Sequence, residues 1–495
     1  MTDDQGKTIR ELGLTAQGGK NPVVTGLAVD SRKVAPGFLF AALPGTQVHG
    51  ADYIPVALEQ GAEVILTDAE GAAMAAQLLA DSEVAVVLAE DPRQTLAYTA
   101  ALWFGAQPAS VVAVTGTNGK TSVATFLRQI WTEMGLQAVN LGTTGVEGAF
   151  EAPLHHTTPE PLTLHGVLRA CADAGVTHAA MEASSHGLAQ RRLEGVTLAA
   201  AGFTNFSQDH LDYHASFDDY FTAKAGLFAR VLPPEGTAVI NIDDRRGADM
   251  AEIAQERGQS LLRVGRSNEA DLQLQAQRFE ATSQEIRFAY KGDIHHMRLP
   301  LMGGFQAENV LLAAGLAMAA GAKPDAVFDT LPHLTTVRGR MQLAATRTNG
   351  ASIFVDFAHT PDAVETALKA LRPHVMGRLV VIVGAGGDRD RTKRPLMGQA
   401  ADNNADLVIV TDDNPRSEDP DAIRQAVLMG CPSALEVGDR AEAILRGVDA
   451  LGPGDALLIA GKGHETGQIV GDTVFPFDDV EQASLAVSAL DGGLV

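Results

Sequence analysis

The stretch SVVAVTGTNGKTSVATFL (Ser110 to Leu127) sets Gly119, Lys120 and Thr121 where an apolar strand runs into a helix. Glycines at such a junction let backbone N–H groups turn toward phosphate oxygens at the helix N-terminus. A lysine can then neutralise the terminal phosphates and a threonine can hold Mg²⁺. The usual phosphate loop, G-x-x-x-x-G-K-[ST], carries its first glycine five residues ahead of the second. That place holds Val114, and the first glycine is Gly116. The loop is therefore a shortened one. A plain glycine-rich turn would not call for lysine and threonine after the glycine, so Gly116, Thr117, Asn118, Gly119, Lys120 and Thr121 are read as a nucleotide site.

Other polar residues gather at strand ends. In VTHAAMEASSHGLAQRRL the strand closes on Glu182, where a carboxylate serves as a metal ligand beside a phosphate loop; Ser184, Ser185 and His186 follow. A Ser/His nucleophile pair is conceivable there, but the G-x-S-x-G elbow is absent. Asp209, His210, Asp212 and His214 fall within six residues. They read either as a transition-metal site or, more simply, as a polar loop with one or two Mg²⁺-linked groups. Lys224, inside the amphipathic run YFTAKAGLF, reads on its own as a solvated helix residue. VVIVGAGGDRDRTKRP approaches the dinucleotide fingerprint, but Arg389 stands in place of the last glycine. TDDNPRSEDP is a strand end followed by an Asn-Pro turn. Arg416 is not needed for such a turn, which points to a ligand.

The elements that must carry these residues alternate. Apolar runs without polar alternation, AEVILTD, EVAVVLAED, SIFVDFA, RLVVIVGAGG, ADLVIVTDD and DALLIAGKG, read as strands buried on both faces of parallel sheets. Helical runs such as Gln94 to Phe104, Asp362 to Leu371 and Asp421 to Met429 complete β-α-β units. At roughly 150 residues per domain, 495 residues suggest about three domains. The expected divisions are 1–90, 91–336 and 337–495. No repeat of solenoid length recurs. The fold class is α/β.

Composition narrows the function. A formal net charge of −23 argues against a broad nucleic-acid or anionic-membrane surface, while leaving room for local cationic pockets. Cys171 and Cys431 lie far apart without metal spacing, which fits a reducing cytoplasm with both thiols buried and inert. MTDDQGKTIR contains no apolar signal core. VLLAAGLAMAAGA is too short to span a bilayer and reads as a core helix. A cytoplasmic enzyme without membrane insertion is expected, with a monomer as the default.

Taken in order, LAVDSRKVAPGFLFAALPG, TGTNGKT, HTTP, MEASSHGLAQRRL, FTNFSQDHLDYH, GFQAENVLLA, GRMQ, DFAHTPDA, GAGGDRDRTKRPLMG, TDDNPR and GKGHE resemble the Mur ligases of peptidoglycan synthesis along essentially the whole chain. The shortened GTNGKT loop is the form that these ATP-dependent amide-bond formers use. The resemblance is strongest to the branch that adds the third stem-peptide residue, and DNPR resembles the form that takes meso-2,6-diaminopimelate. It implies a UDP-binding N-terminal domain, a central phosphate-loop ATPase domain with a mostly parallel sheet, and a Rossmann-like C-terminal domain. It also implies ATP and Mg²⁺, with UDP-N-acetylmuramoyl-L-alanyl-D-glutamate and diaminopimelate as the other substrates. ATP would phosphorylate the D-glutamate side-chain carboxylate, and an amine would attack the acyl phosphate.

By the same resemblance, Lys120, Glu182, His210 and a carbamylated Lys224 are catalytic, and Thr121, Glu182, His210 and Lys224 serve the metal. Asn309, Arg340, Asp356 and His359 join the loop in holding ATP. Val29, Ser31, Thr46, Gln47, Val48, His156, Thr157, Thr158, Ser184, Gln190 and Arg192 are assigned to the UDP-muramoyl-dipeptide. Arg389, Asp413, Asn414, Pro415, Arg416, Gly461 and Glu465 are assigned to diaminopimelate. The chain departs from frequent family residues at His156, Gln342 and Phe357.

Overall fold

The computed structural model describes residues 6–45, 48–154, 156–207, 213–214 and 216–492. Three parallel or mostly parallel sheets organise them, and the chain divides into two compact units. One unit is Met1–Arg263 with Leu312–Pro324; the other is Val264–Leu311 with Asp325–Val495.

In the first unit, Gly26–Ala28, Phe38–Ala41, Val64–Thr67 and Ala85–Leu88 form a four-stranded parallel sheet in chain order. Asp91 then caps the helix Pro92–Phe104 by accepting the Gln94 N–H at 3.0 Å, and proline occupies its first turn. Gly105, at φ 71°, ends it in the left-handed conformation that glycine adopts without strain.

The chain next enters Ser110–Thr115, buried over its last five residues. This strand lies between Ala200–Phe203 and His178–Glu182, parallel to both. Thr237–Asn241 extends the sheet beyond Ala200–Phe203, and Ala138–Gly142 extends it beyond His178–Glu182. Gly145–Gly148 closes that edge as an antiparallel strand. Its aliphatic layer includes Val111, Val139, Met181, Leu164 and Leu168. Because all the parallel strands point one way, Thr115 and Glu182 end at the same edge of the sheet, where open α/β sheets bind ligands.

The second unit carries a six-stranded sheet in the order Gln342–Thr346, Ser352–Asp356, Ala456–Ala460, Leu379–Val383, Leu407–Val410, Leu435–Glu436. Only the Gln342–Thr346 pairing is antiparallel. The four apolar runs read as strands in this region are all present. The helices Pro361–Leu371, Lys393–Asn404 and Pro420–Leu428 follow as the β-α-β reading expects. The same unit holds three antiparallel strands, Leu272–Glu280, Ser283–Tyr290 and Asp293–Leu299, and a hairpin, Gly467–Val470 with Thr473–Pro476. The three long strands were not foreseen, because Gln, Arg and His alternate with their buried positions and break up the apolar runs; the hairpin has no buried position to mark it. The helix Phe305–Ala319 is largely buried, as VLLAAGLAMAAGA suggested. Among the described residues no helix is long and apolar enough to cross a membrane. Cys171 and Cys431 are free and fully buried, and burial pushes both thiols up to about 11.

Candidate active site

In the first unit the strand Ser110–Thr115 delivers the shortened loop. Gly116 has φ 147° and Gly119 φ 86°, and Gly119 precedes the helix Lys120–Glu133 with no side chain capping it. Some other helices, such as Pro161–Asp173, Ser185–Ala189, Pro361–Leu371 and Asp479–Leu490, are capped by Glu, Ser, Thr or Asp side chains, while others, such as Gly247–Glu256 and Lys393–Asn404, are not. Here the N-terminal amides and the positive end of the helix dipole are left to a ligand, the arrangement that binds phosphate. Gly116 cannot be larger, since a Cβ would strike the Thr204 hydroxyl and the Asn205 backbone.

A frame of side chains holds the loop. Thr204 Oγ1 donates to Asn118 O at 2.6 Å, Asn118 N donates to Asn205 Oδ1 at 2.9 Å, and Thr117 N donates to Asn205 O at 2.8 Å. Lys120 Nζ donates to the Gly116 and Thr117 carbonyls at 2.9 and 2.8 Å. Its ammonium thus lies over the loop.

Glu182 is 2% exposed. Its Oε2 accepts the Thr121 hydroxyl at 3.0 Å, and its Oε1 accepts the Thr143 N–H at 2.9 Å. A Cβ on Gly142 would fall on this carboxylate. The hydroxyl and the buried carboxylate are hard oxygen donors one hydrogen bond apart, a set that suits Mg²⁺. Thr143 Oγ1 also lies 3.0 Å from Thr157 Oγ1, and Thr158 Oγ1 donates to Glu182 O at 2.9 Å. Ser184 N donates to Thr158 Oγ1, and Ser184 Oγ caps the helix Ser185–Ala189 through Gly187 N. Arg192 grips the Thr158 carbonyl and, through two nitrogens, Gln190 Oε1; Gln190 Nε2 donates to Tyr213 OH. The structure therefore joins Thr121, Thr157, Thr158, Glu182, Ser184, Gln190 and Arg192 in one network. Ser184 is engaged as a cap and Ser185 belongs to the helix, which gives no nucleophile geometry.

Lys224 corrects the solvated-helix reading. It is 1% exposed, on the helix Phe217–Gly226, and its Nζ donates to Gly116 O at 2.6 Å while lying 4.6 Å from the Tyr220 ring centre. A lysine so buried reaches the phosphate loop itself. Among the described residues no group of three or more His, Cys, Asp or Glu is placed to hold a metal ion. Asp209, His210 and Asp212 lie outside the described residues, as do Thr46 and Gln47. Val29 and Val48 are exposed, Ser31 is buried, and His156 is exposed.

In the second unit Asn309, 7% exposed, donates to Gln306 Oε1 at 3.1 Å. Asp356, at the end of its strand, accepts Met341 N at 2.7 Å and Ala358 N at 2.8 Å; burial pushes its carboxyl up against the pull of Arg340. The Arg340 guanidinium stacks 4.8 Å from the Phe357 ring centre, which needs no tyrosine hydroxyl. Gln342 Oε1 accepts Gly339 N at 2.7 Å, a bond that an amide oxygen supplies as well as a carboxylate would. His359 is exposed, and its Nδ1 lies 2.7 Å from the Phe357 carbonyl.

The remaining assigned residues meet at the strand ends of the C-terminal sheet. Asn414 Nδ2 donates to Glu465 Oε2 at 2.9 Å. A Cβ on Gly461, at φ 116°, would strike the Asp413 carboxylate. Arg416 has φ 51°, and its backbone pairs with the hairpin through Ile469 O and Gly471 N at 3.0 and 2.8 Å. Its Nη1 donates to Gly387 O at 2.8 Å. Arg416 therefore also braces the turn against the loop that bears Arg389, beyond the ligand role read from sequence. Arg389 itself is exposed, with Nη1 on Asp388 O at 3.3 Å.

The chain matches the Mur ligase family catalytic domain over residues 23–103, the Mur ligase middle domain over 114–317 and the Mur ligase glutamate ligase domain over 339–463. It belongs to the Mur ligase family. A relative from Caulobacter vibrioides, named UDP-N-acetylmuramoyl-L-alanyl-D-glutamate--2,6-diaminopimelate ligase, is 48% identical over 478 residues, covering 95% of this chain and 97% of the relative. A Brucella melitensis protein of the same name is 46% identical, covering 94% of each. A solved structure of a ligase with that name superposes with a TM-score of 0.73 at 33% identity, covering 98% of this chain and 99% of the other. MurF from Thermotoga maritima, solved with ADP, shares the fold at 18% identity and a TM-score of 0.58, covering 94% and 98% of the two chains. The three-domain Mur ligase architecture expected from the motifs is thus present. Several braces of this Mur ligase site were missed: Gly142, Thr143, Thr204, Asn205 and Lys462. Thr204, Asn205 and Lys462, whose Nζ donates to Asn414 Oδ1 at 3.2 Å, lay inside quoted motifs, TNFSQDH and GKGHE, which were the available signal; nothing local marked Thr143.

Proposed function

We propose that this Mur ligase joins meso-2,6-diaminopimelate to the D-glutamate side-chain carboxylate of UDP-N-acetylmuramoyl-L-alanyl-D-glutamate, with ATP cleaved to ADP and phosphate. The full-length match to ligases named for this reaction carries the proposal. The loop chemistry agrees with it. A carboxylate oxygen takes the γ-phosphoryl group as the bond to ADP breaks. The amine then adds to the acyl carbon, phosphate leaves with that oxygen, and the amine gives up a proton. Negative charge grows first on phosphoryl oxygens and then at a tetrahedral carbon, so the site needs fixed positive groups more than a protein nucleophile.

Lys120 and the uncapped amides of the following helix meet the ATP phosphates. Thr121 and Glu182 would hold Mg²⁺, which supplies Lewis-acid charge when bound. Lys224, carbamylated by addition of CO₂ to its neutral amine with loss of a proton, would offer carboxylate oxygens to a metal; its closeness to Gly116 O supports this. His210 is assigned by family resemblance to a position near a second Mg²⁺. Asn309, Arg340, Asp356 and His359 serve ATP, through its adenine, ribose or phosphates. Val29, Ser31, Thr46, Gln47 and Val48 serve the uridine nucleotide and Thr157, Thr158, Ser184, Gln190 and Arg192 the muramoyl-dipeptide, with His156 assigned to the same substrate. Asp413, Asn414, Pro415, Gly461 and Glu465 surround the acceptor, and Arg389 and Arg416 face its carboxylates. The domain divisions 1–90, 91–336 and 337–495 remain our assignment, and the reaction is placed in the cytoplasm, where nucleotide substrates are made.

An acceptor screen tests the reading. With ATP, Mg²⁺ and the UDP-dipeptide fixed, ADP release should require diaminopimelate and fall away with L-lysine. Equal or better turnover with lysine would assign the chain to a different acceptor.

A further inference from the structure

The most completely buried cation near the acceptor residues is one that no substrate role accounts for. Lys462, directly after Gly461 at the end of Ala456–Ala460, is 0% exposed. Its Nζ donates to Asn414 Oδ1 at 3.2 Å and to the Gly467 carbonyl, and pairs with Glu465 Oε2 at 3.4 Å. Asn414 Oδ1 takes a second donor, Ile469 N, at 2.9 Å. Two donors on one side leave the Asn414 amide a single satisfactory orientation. A flipped amide would set NH₂ against an ammonium and a backbone N–H. The amide nitrogen must then turn to Glu465, where it donates to Oε2 at 2.9 Å. Glu465 Oε2 is occupied twice over, while Oε1 takes no hydrogen bond among the described residues, on a side chain 37% exposed.

We infer that Lys462 is a positioning residue for the acceptor. It fixes the Asn414 amide and one oxygen of Glu465, so that the other oxygen is presented to the ammonium group of the incoming amino acid. The inference rests on the proposed acceptor site. Lys462 need not touch the substrate. It acts through Glu465.

The test is a double-mutant cycle with Lys462→Met and Glu465→Gln in the full-length enzyme, read as separate Michaelis constants and kcat. Losing a charge-assisted bond should raise the constant for diaminopimelate about 10- to 100-fold in Lys462→Met. The constants for ATP and the UDP-dipeptide should move less than about twofold, since that bond does not reach them. In the Glu465→Gln background the Lys462 substitution should add little, because the two act on one contact. Lys462→Gln can keep the bonds to Asn414 and Gly467 without the charge, and serves if the methionine variant does not fold. Additive effects, or equal rises for all three substrates, would overturn the inference, as would loss of the fold in both Lys462 variants. If Glu465→Gln alone leaves the acceptor constant unchanged, the acceptor site itself is wrong; if it raises the constant and Lys462→Met does not, only the positioning role fails.

Discussion

Arg416 has two kinds of partner. Diaminopimelate differs from lysine by one carboxylate, and a guanidinium can meet that group with two parallel N–H···O bonds. In the structure one nitrogen already braces Gly387 O. Replacing Arg416 by alanine removes a charged partner worth about 2–5 kcal/mol, so the Michaelis constant for diaminopimelate should rise at least about 30-fold. Steady-state kinetics on the variant check this, and unchanged preference for diaminopimelate over lysine would remove Arg416 as the selector. Lys224→Ala should cost turnover at least about 100-fold, as loss of a group stabilising transition-state charge does. Acetate should restore part of it by standing in for the carbamate oxygens. A variant that keeps parental activity would end the carbamate role. The burial of Lys224 was not legible in YFTAKAGLF, because only the tertiary approach of its helix to the loop brings Nζ to Gly116.

The strand ends decide the next scale. Six apolar runs read as strands are strands, since a continuous apolar run signals a sheet strand, although Ala85–Leu88 is an edge strand with Leu88 exposed rather than one buried on both faces. The antiparallel strands from Leu272 to Leu299 were not legible. Their buried positions, among them Leu272, Leu274, Ile286 and Phe288, alternate with polar residues, and only pairing reveals the common face. The close of Ala138–Gly142 shows how an element can set chemistry. Gly142 leaves room for the Glu182 carboxylate, and Thr143 then holds it. Gly142→Ala should displace Glu182 at an overpacking cost of about 1–3 kcal/mol and lower kcat more than it raises any Michaelis constant. Crystallography and kinetics together check it; full activity with Glu182 unmoved would show that the strand end tolerates a methyl.

For the whole molecule, the acidic balance leaves binding of anionic substrates to a few local cations, and the sequence made that plain. Its response to pH was less legible, because histidine burial depends on packing. Burial lowers the proton affinity of His165, His178 and His374 below the ordinary 6.5. His374 Nε2 accepts Gly303 N at 3.1 Å, with Nδ1 2.6 Å from Glu280 O, which requires a neutral ring. The unfolded chain therefore binds more protons than the folded one just below pH 6.5, and stability is lost as pH falls through that value. Thermal melting at pH 5.5 should come at least about 2 °C below that at pH 7.5, the shift of about 1 kcal/mol in a domain of this size. A flat or inverted profile would contradict the burial argument.

The central claim is that ATP activates the glutamyl carboxylate for attack by diaminopimelate. It is tested most directly with UDP-muramoyl-dipeptide carrying ¹⁸O in the D-glutamate side-chain carboxylate, incubated with MgATP and diaminopimelate and followed by mass spectrometry. The account predicts a tripeptide product, ADP, and one ¹⁸O in each inorganic phosphate released. Phosphate without the label, or AMP in place of ADP, would contradict it.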